Sequence, residues 1–236
     1  MALSFFSGKV FKYLFILSVT LNLLCVCAWG VHLYRSSHVM GPDGKTYYLN
    51  TQTMYALLPV NNKDIVLVGD SHTKRFSFTE YFAAIHSVKN RGIEGDISGG
   101  VLNRMNEVIP GKPEKIFIEI GYNDLTYEIT PDSICKNIKL IVDKIKAGSP
   151  ATKIYINSIF PSDKADLGVT VKDEIVATNK LIKQLCIDSN IPYIDIYSKL
   201  SYNGVLNQKY SGGDGIHLNG PGYILWAETL RPYIQQ

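Results

Sequence analysis

Asp64-Ile65-Val66-Leu67-Val68-Gly69-Asp70-Ser71-His72-Thr73 is the stretch on which the fold turns. A β-branched apolar run stops abruptly at Gly-Asp-Ser, and a helical pattern begins straight after. A short apolar run bounded by glycine reads as a buried central strand. In an open α/β protein the C-terminal end of such a strand is the rim where ligands and catalytic groups collect. A serine delivered there is either a helix cap or a nucleophile. Taken alone, Asp70-Ser71 favours the cap, because Ser, Asp and Asn are the preferred N-cap residues.

The same punctuation recurs along the chain. Ser87–Arg91 reads as a second, weaker strand, followed by Gly92, Gly95, Gly99 and Gly100. Lys115–Ile120 (KIFIEI) is the clearest strand and ends at Gly121-Tyr122-Asn123-Asp124. Lys153–Ser158 and Pro192–Ile196 supply a fourth and a fifth. Helices are expected over Phe76–His86, Val101–Ile109, Pro131–Ala147, Val171–Asp188 and from about Pro221 onward. The third of these carries Ile134, Ile138, Ile141, Val142 and Ile145 along one face. Strands alternating with helices predict a three-layer α/β/α sandwich around a five-stranded parallel sheet. The flavodoxin-like order 2-1-3-4-5 brings the ends of strands 1, 2 and 3 to one rim.

Ahead of this domain, Tyr13 to Tyr34 is almost wholly apolar, holds no Asp, Glu, Lys or Arg, and follows Lys9 and Lys12. About 20 apolar residues span a bilayer core, and lysines before the span place the N-terminus in the cytoplasm. The expectation is one N-terminal transmembrane or signal helix over residues 1–34. Its length favours a retained anchor, while Ala28-Trp29-Gly30 offers a signal peptidase site. Either way the rest of the chain is exported, tethered to the inner membrane facing the periplasm or exterior, or secreted. Residues 35–62 read as a stem, with Gly41-Pro42-Asp43-Gly44 a turn signal and Tyr47-Tyr48-Leu49 and Met54–Leu58 apt to pack on the domain at 63–236.

Composition excludes several functions. Lys and Arg number 24 against 21 Asp and Glu, a net charge of +3 scattered without a basic stripe, so nucleic acid is not an expected partner. No phosphate loop and no Gly-x-Gly-x-x-Gly follows a strand, so no nucleotide and no other cofactor is expected. No Cys-x-x-Cys or Cys/His cluster suggests a metal. Cys135 and Cys186 stand singly within expected helices and read as core thiols, a disulfide being the alternative in an exported domain.

The chemistry lies in four polar blocks. Acyl transfer by serine needs a hydroxyl, a base, a carboxylate to orient the base, and donors for the oxyanion. Asp214 and His217 lie three residues apart on one loop before the last helix. The parallel-sheet topology puts that loop at the rim that carries Ser71, and Asn123 ends a neighbouring strand. Individually each residue has a structural explanation; the combination is harder to explain that way.

Gly69-Asp70-Ser71, Arg91-Gly92-Ile93-Glu94-Gly95-Asp96, Gly121-Tyr122-Asn123-Asp124 and Asp214-Gly215-Ile216-His217-Leu218, in this order, resemble the blocks of the SGNH (GDSL-type) hydrolase family. Within it the chain is most similar to the platelet-activating-factor acetylhydrolase-like and carbohydrate-esterase branch. The resemblance covers residues 64 to 233 and implies Ser71 as nucleophile, His217 as base and Asp214 as its orienting carboxylate. It also implies an oxyanion hole from the backbone N–H groups of Ser71 and Gly95 and the side chain of Asn123. Asp70, Asp96 and Asp124 are left to hydrogen bonding and turn geometry. The family usually has an apolar or small residue after Gly-Asp-Ser; here His72 stands there, expected to line the pocket or reach a carboxylate. The loop from Phe160 to Val171, with Asp163, Lys164 and Asp166, is expected to wall one side of the cleft, and its polarity suits a sugar. The implied activity is a serine esterase that removes a short acyl group, such as acetyl, from an O-acylated glycan or similar ester. The alternatives are an O-acyltransferase using the same site on a cell-envelope glycan and a tethered binding module, the latter disfavoured by the complete set of residues.

Overall fold

The computed structural model describes residues 12–23, 25–26, 42–84, 87–163, 165–166 and 169–236. Five strands build the main sheet: β1 (Asp64–Gly69), β2 (Ser87–Gly92), β3 (Lys115–Glu119), β4 (Lys153–Asn157) and β5 (Tyr193–Ile194). All pair in parallel, in the order β2-β1-β3-β4-β5, which is the expected 2-1-3-4-5. β5 keeps only two residues of the five expected. The register sets Gly69 opposite both Gly92 and Glu119. Three of the four polar blocks therefore leave the sheet at one level.

Helices cover both faces. In chain order they are α1 (Pro42–Leu57), α2 (Ser71–Lys74), α3 (Phe78–Tyr81), α4 (Ser98–Arg104), α5 (Tyr122–Thr126), α6 (Pro131–Gly148), α7 (Lys172–Ser189), α8 (Tyr197–Leu200) and α9 (Gly220–Gln235). Side chains alternate across the strands, so each strand serves two cores. Val66, Val68, Ile116, Ile118, Ile154 and Ile156 face α4, α6 and α7. Ile65, Leu67, Phe117 and Tyr155 face the other way, against Phe78, Trp226, Leu230 and Ile234. A strand buried on both faces is apolar along its centre, which is why Ile65–Val68 of β1 reads as an unbroken run. The architecture is the three-layer α/β/α sandwich.

Several expectations need correction. Residues 76–86 do not form one helix: α2 and α3 are single turns, and residues 85–86 lie outside the described residues. Phe78 and Phe82 are there to fill the core against Trp226, not to mark a long amphipathic helix. The helix expected over Val101–Ile109 starts earlier, at Ser98, and breaks after Arg104 into two 3₁₀ turns. Gly41-Pro42-Asp43-Gly44 does not turn the chain, since Pro42 opens the 16-residue helix α1. Proline is favoured at the first helical position because its missing N–H would have had no partner there.

The chain divides into two units, residues 1–46 and 47–236. In the first, residues 12–23 and 25–26 are helical and exposed. Among the described residues no helix is long and apolar enough to cross a membrane. Residues 24 and 27–34, which complete the apolar run expected to do so, lie outside the described residues.

Candidate active site

β1 ends under α2 with no room to spare. A Cβ on Gly69 would sit 2.3 Å from both the Glu119 carbonyl and Thr73 Oγ1, so only glycine lets the strand pass. Asp70, fully buried, then caps α2: its Oδ1 accepts the backbone N–H of His72 at 2.9 Å. The capping role belongs to Asp70, which leaves the Ser71 hydroxyl for other work. Ser71 is the first residue of α2 and is 7% exposed.

Its partner arrives from the loop before α9. The Ser71 Oγ lies 2.9 Å from His217 Nε2, and His217 Nδ1 lies 2.5 Å from Asp214 Oδ2. A nitrogen facing a carboxylate carries the proton, so Nε2 presents its lone pair to the serine hydroxyl. Asp214 also folds its own loop, its Oδ1 accepting the backbone N–H groups of Ile216 and His217 at 2.9 and 2.8 Å. Burial opposes the charge on Asp214, but these hydrogen bonds outweigh it and hold the carboxyl well below its usual range. A bridge between Ser211 and Leu218 closes the loop, and the Asn219 side chain caps α9 through the Gly222 N–H at 3.0 Å. The His217 pKa is lowered, by burial first and by the charges of His72 and Arg75, against the support of Asp214.

The remaining blocks lace together beside Ser71. Gly95 adopts φ +71°, a left-handed conformation that favours glycine. Asn123 sits in the first turn of α5, and its Nδ2 donates to the Asp96 carbonyl at 2.8 Å, with Asp70 Oδ2 at 3.4 Å. Asp96 is buried and accepts Arg104 Nε at 2.7 Å, while Arg104 Nη2 donates to the Gly69 carbonyl at 3.1 Å. Asp124 accepts the Ser98 N–H and hydroxyl at 2.8 and 2.5 Å. Burial pushes the Asp96 and Asp124 carboxyls up. The three aspartates act as cap and cross-links, as assigned from the sequence.

Two sets of residues flagged only loosely in the sequence join the site, the α1 tyrosines by packing on the domain and His72 by reaching a carboxylate, while Glu119 was not singled out. From α1, the Tyr48 hydroxyl donates to Asp96 Oδ1 at 3.1 Å and the buried Tyr55 hydroxyl to the Gly92 carbonyl at 3.0 Å. Behind Ser71, His72 is buried beside Asp70 and Glu119, with Nδ1 at 3.4 Å from Asp70 Oδ1 and 3.9 Å from Glu119 Oε2. A lone acidic residue in the otherwise apolar run Ile116–Ile120 was the one sequence signal for Glu119. The donor atoms of Asp70, His72 and Glu119 lie within 4.8 Å of one another, a spacing that also suits a metal ion. Protonation accounts for them as well: burial and the neighbouring Asp70 push the Glu119 carboxyl up, and an imidazolium at His72 would balance the remaining negative charge. On the opposite wall, Phe160 packs on His72 at 4.9 Å, and the Ser162 hydroxyl and Asp163 N–H donate to the Gly215 carbonyl at 3.0 and 2.8 Å. The expected wall at 160–171 thus meets the His217 loop at its start, while Lys164 lies outside the described residues. Cys135 and Cys186 are free thiols, not a disulfide.

A parallel α/β sandwich with a serine, a histidine and an aspartate joined at its C-terminal rim defines a class of acyl hydrolases. Residues 67–225 match the GDSL-like lipase/acylhydrolase family, and the chain belongs to it. It is a hydrolase of the GDSL/SGNH type. No curated relative matches the sequence. Among solved structures it is similar to a Streptococcus pneumonia protein named for platelet activating factor (24% identity, 88% of this chain and 99% of that one, TM-score 0.75). A GDSL-like lipase from Bacteroides thetaiotaomicron shares 24% identity over 80% of this chain and 97% of that one, TM-score 0.69. A variant of a Geobacillus acetyl-xylooligosaccharide esterase shares 18% over 75% and 97%, TM-score 0.60. At these identities the likeness is one of fold.

Proposed function

We propose that the protein is a serine esterase that removes a short acyl group, acetyl above all, from an O-acylated glycan or similar ester through an acyl-enzyme on Ser71. The observation that carries this is the hydrogen-bonded chain from Ser71 through His217 to Asp214, with 2.9 and 2.5 Å steps. His217 takes the serine proton as the hydroxyl attacks the ester carbonyl, then returns it to the leaving alcohol. A water activated by the same Nε2 then hydrolyses the acyl-enzyme. The N–H groups of Ser71 and Gly95 and the Asn123 amide are the donors for the tetrahedral oxyanion. The polar composition of the 160–171 loop, with Asp163, Lys164 and Asp166, suits a sugar better than a long acyl chain, and a fold neighbour named an acetyl-xylooligosaccharide esterase is an analogy at fold level.

We infer further, from the apolar run at 13–34 behind Lys9 and Lys12, that the domain works outside the cytoplasm, tethered or released. The full-length protein, purified in detergent, is expected to hydrolyse p-nitrophenyl acetate and release acetate from acetylated oligosaccharides. Ser71→Ala should abolish both turnover and labelling by a fluorophosphonate probe. A fully active Ser71→Ala protein overturns the proposal. Acetylated acceptor glycan formed in place of free acetate would instead make the same site an O-acyltransferase.

A further inference from the structure

His72 occupies a position that the proposed reaction does not use, yet it is buried beside two carboxyl groups, Asp70 and Glu119. The imidazole is 1% exposed. Its Nε2 lies 3.0 Å from the carbonyl of Ile216, the residue before His217, and a nitrogen facing a carbonyl carries a proton. Its Nδ1 faces only carboxylate oxygens, Asp70 Oδ1 at 3.4 Å and Glu119 Oε2 at 3.9 Å, neither in good hydrogen-bond geometry. A lone pair directed at two carboxylates is repelled, so a second proton belongs on Nδ1. Neither Glu119 oxygen has a hydrogen-bond partner, although the side chain is buried. A buried carboxyl without donors is compensated by its own proton or by a nearby cation, and the His72 imidazole is the cationic group beside it. The His72 ring centre is 5.5 Å from that of His217.

We propose that His72 is a positioning residue for the general base: a buried imidazolium, held by Asp70 and Glu119, that clamps the Ile216 carbonyl and sets the charge against which His217 takes up its proton. The proposal rests on the reading of His217 as base. The clamp fixes the His217 loop over Ser71 from below, while Asp214 holds it from the side. The charge works in one direction, since a cation beside His217 disfavours a second cation and keeps the base neutral to lower pH.

Every charged group around the pair fits this assignment. Burial opposes the cation on His72, but Asp70, Glu119 and the Ile216 carbonyl outweigh it and raise its pKa to about 9. Burial and the adjacent Asp70 push the Glu119 carboxyl up. From α9, burial keeps the Tyr223 phenol protonated where it faces Asp70 and Glu119. From α2, Arg75 adds a cation toward His217, but it is paired with Glu94 through contacts of 2.8 and 3.1 Å. Asp214 is the anion on the far side of His217. Phe160 and Tyr122 complete the enclosure of His72 with aromatic faces.

The test is a ¹⁵N-detected NMR titration of the histidine rings in the full-length protein, wild type and His72→Gln. Glutamine retains an N–H for the Ile216 carbonyl and removes the charge. In wild type, His72 should be doubly protonated at pH 7 while His217 is neutral. In His72→Gln, the His217 midpoint should rise by about one unit, the order Coulomb's law gives for charges this close in a partly solvated site. The acid limb of kcat/KM should move up with it, with KM little changed. His72→Leu, which removes clamp and charge together, should lose a further roughly 10- to 100-fold in kcat. A neutral His72 at pH 7, a His217 midpoint unmoved by His72→Gln, or a stoichiometric divalent metal in the purified protein overturns the proposal. If His72→Gln does not fold, the wild-type protonation state still decides. Because the titration needs no substrate, an inactive wild type would count against the esterase reading alone.

Discussion

Asn123 is the residue whose removal separates transition-state stabilisation from mere assembly of the site. On the esterase reading, its amide holds the Asp96 carbonyl with one proton, and the second, in a long contact of 3.4 Å with Asp70 Oδ2, turns to the oxyanion. Asn123→Ala should lower kcat by roughly 10²- to 10³-fold with little change in KM, measured by steady-state hydrolysis of p-nitrophenyl acetate. A rise in KM alone would remove Asn123 from the oxyanion hole. The pH dependence is set by His217, which works only when neutral. Since burial and its cationic neighbours lower its pKa from 6.5, kcat/KM should fall as pH drops through a midpoint below 6.5. A midpoint at or above the ordinary imidazole value would contradict the environment described for it. At this scale Ser71, Asn123 and Asp214 were legible as candidates because they sit near the end of a strand or beside a glycine, and His217 because it follows Asp214 by three residues on one loop. Glu119 was not, and of the two carboxylates beside His72 only Asp70 is near it in sequence; Glu119 comes from a neighbouring strand, and the sequence does not show which side chains meet across a sheet.

At the scale of elements, α1 is the largest surprise. The family match begins at residue 67, and the segment before it reads as a stem. Yet Thr51 and Tyr55 are buried on one face of α1, one turn apart, and Tyr48 extends that face to Asp96. The Tyr55 ring also lies under two cations, with the Arg91 guanidinium at 4.9 Å and the Lys74 ammonium at 5.4 Å. So narrow a face, one of its members a threonine, leaves no apolar stripe for periodicity to find. β1, β3 and β4 read clearly for the opposite reason, their central residues being apolar on both faces, whereas β2 carries Lys89, Asn90 and Arg91 and β5 shortens to two residues. α1 therefore braces the segment from Gly92 to Asp96 that carries Gly95. Tyr55→Phe leaves the Gly92 carbonyl without that donor in a buried site and should destabilise the fold by about 1–3 kcal/mol, read by urea unfolding. Tyr48→Phe removes a half-buried bond, and about 1 kcal/mol is expected. Its more telling readout is kcat, because Asp96 carries the carbonyl that holds Asn123. A Tyr48→Phe protein with unchanged stability and unchanged kcat would make α1 a spacer after all.

Across the whole molecule, the buried titratable groups bias the folded state toward holding protons. His72 keeps its proton to about 9, against 6.5 for the unfolded chain. A raised folded pKa contributes stability that is fully present below 6.5 and is lost as pH rises through 9. The difference amounts to about 3 kcal/mol at most. Glu119, Asp96 and Asp124, pushed up chiefly by burial, act in the same sense over a lower range. Asp214, pulled down by its hydrogen bonds, opposes them only at acid pH. Thermal melts should therefore show Tm falling by roughly 6–12 °C between pH 6.5 and 10 on account of His72. His72→Gln should flatten that slope, whatever its effect on the midpoint itself. A wild-type Tm that holds or rises over this range would mean that His72 is neutral in the folded protein. Activity has the opposite lower bound, because the reaction needs His217 deprotonated. The same imidazolium thus widens the working range at its acid end, by depressing His217, and narrows it at the alkaline end, where losing its proton leaves Asp70 and Glu119 uncompensated.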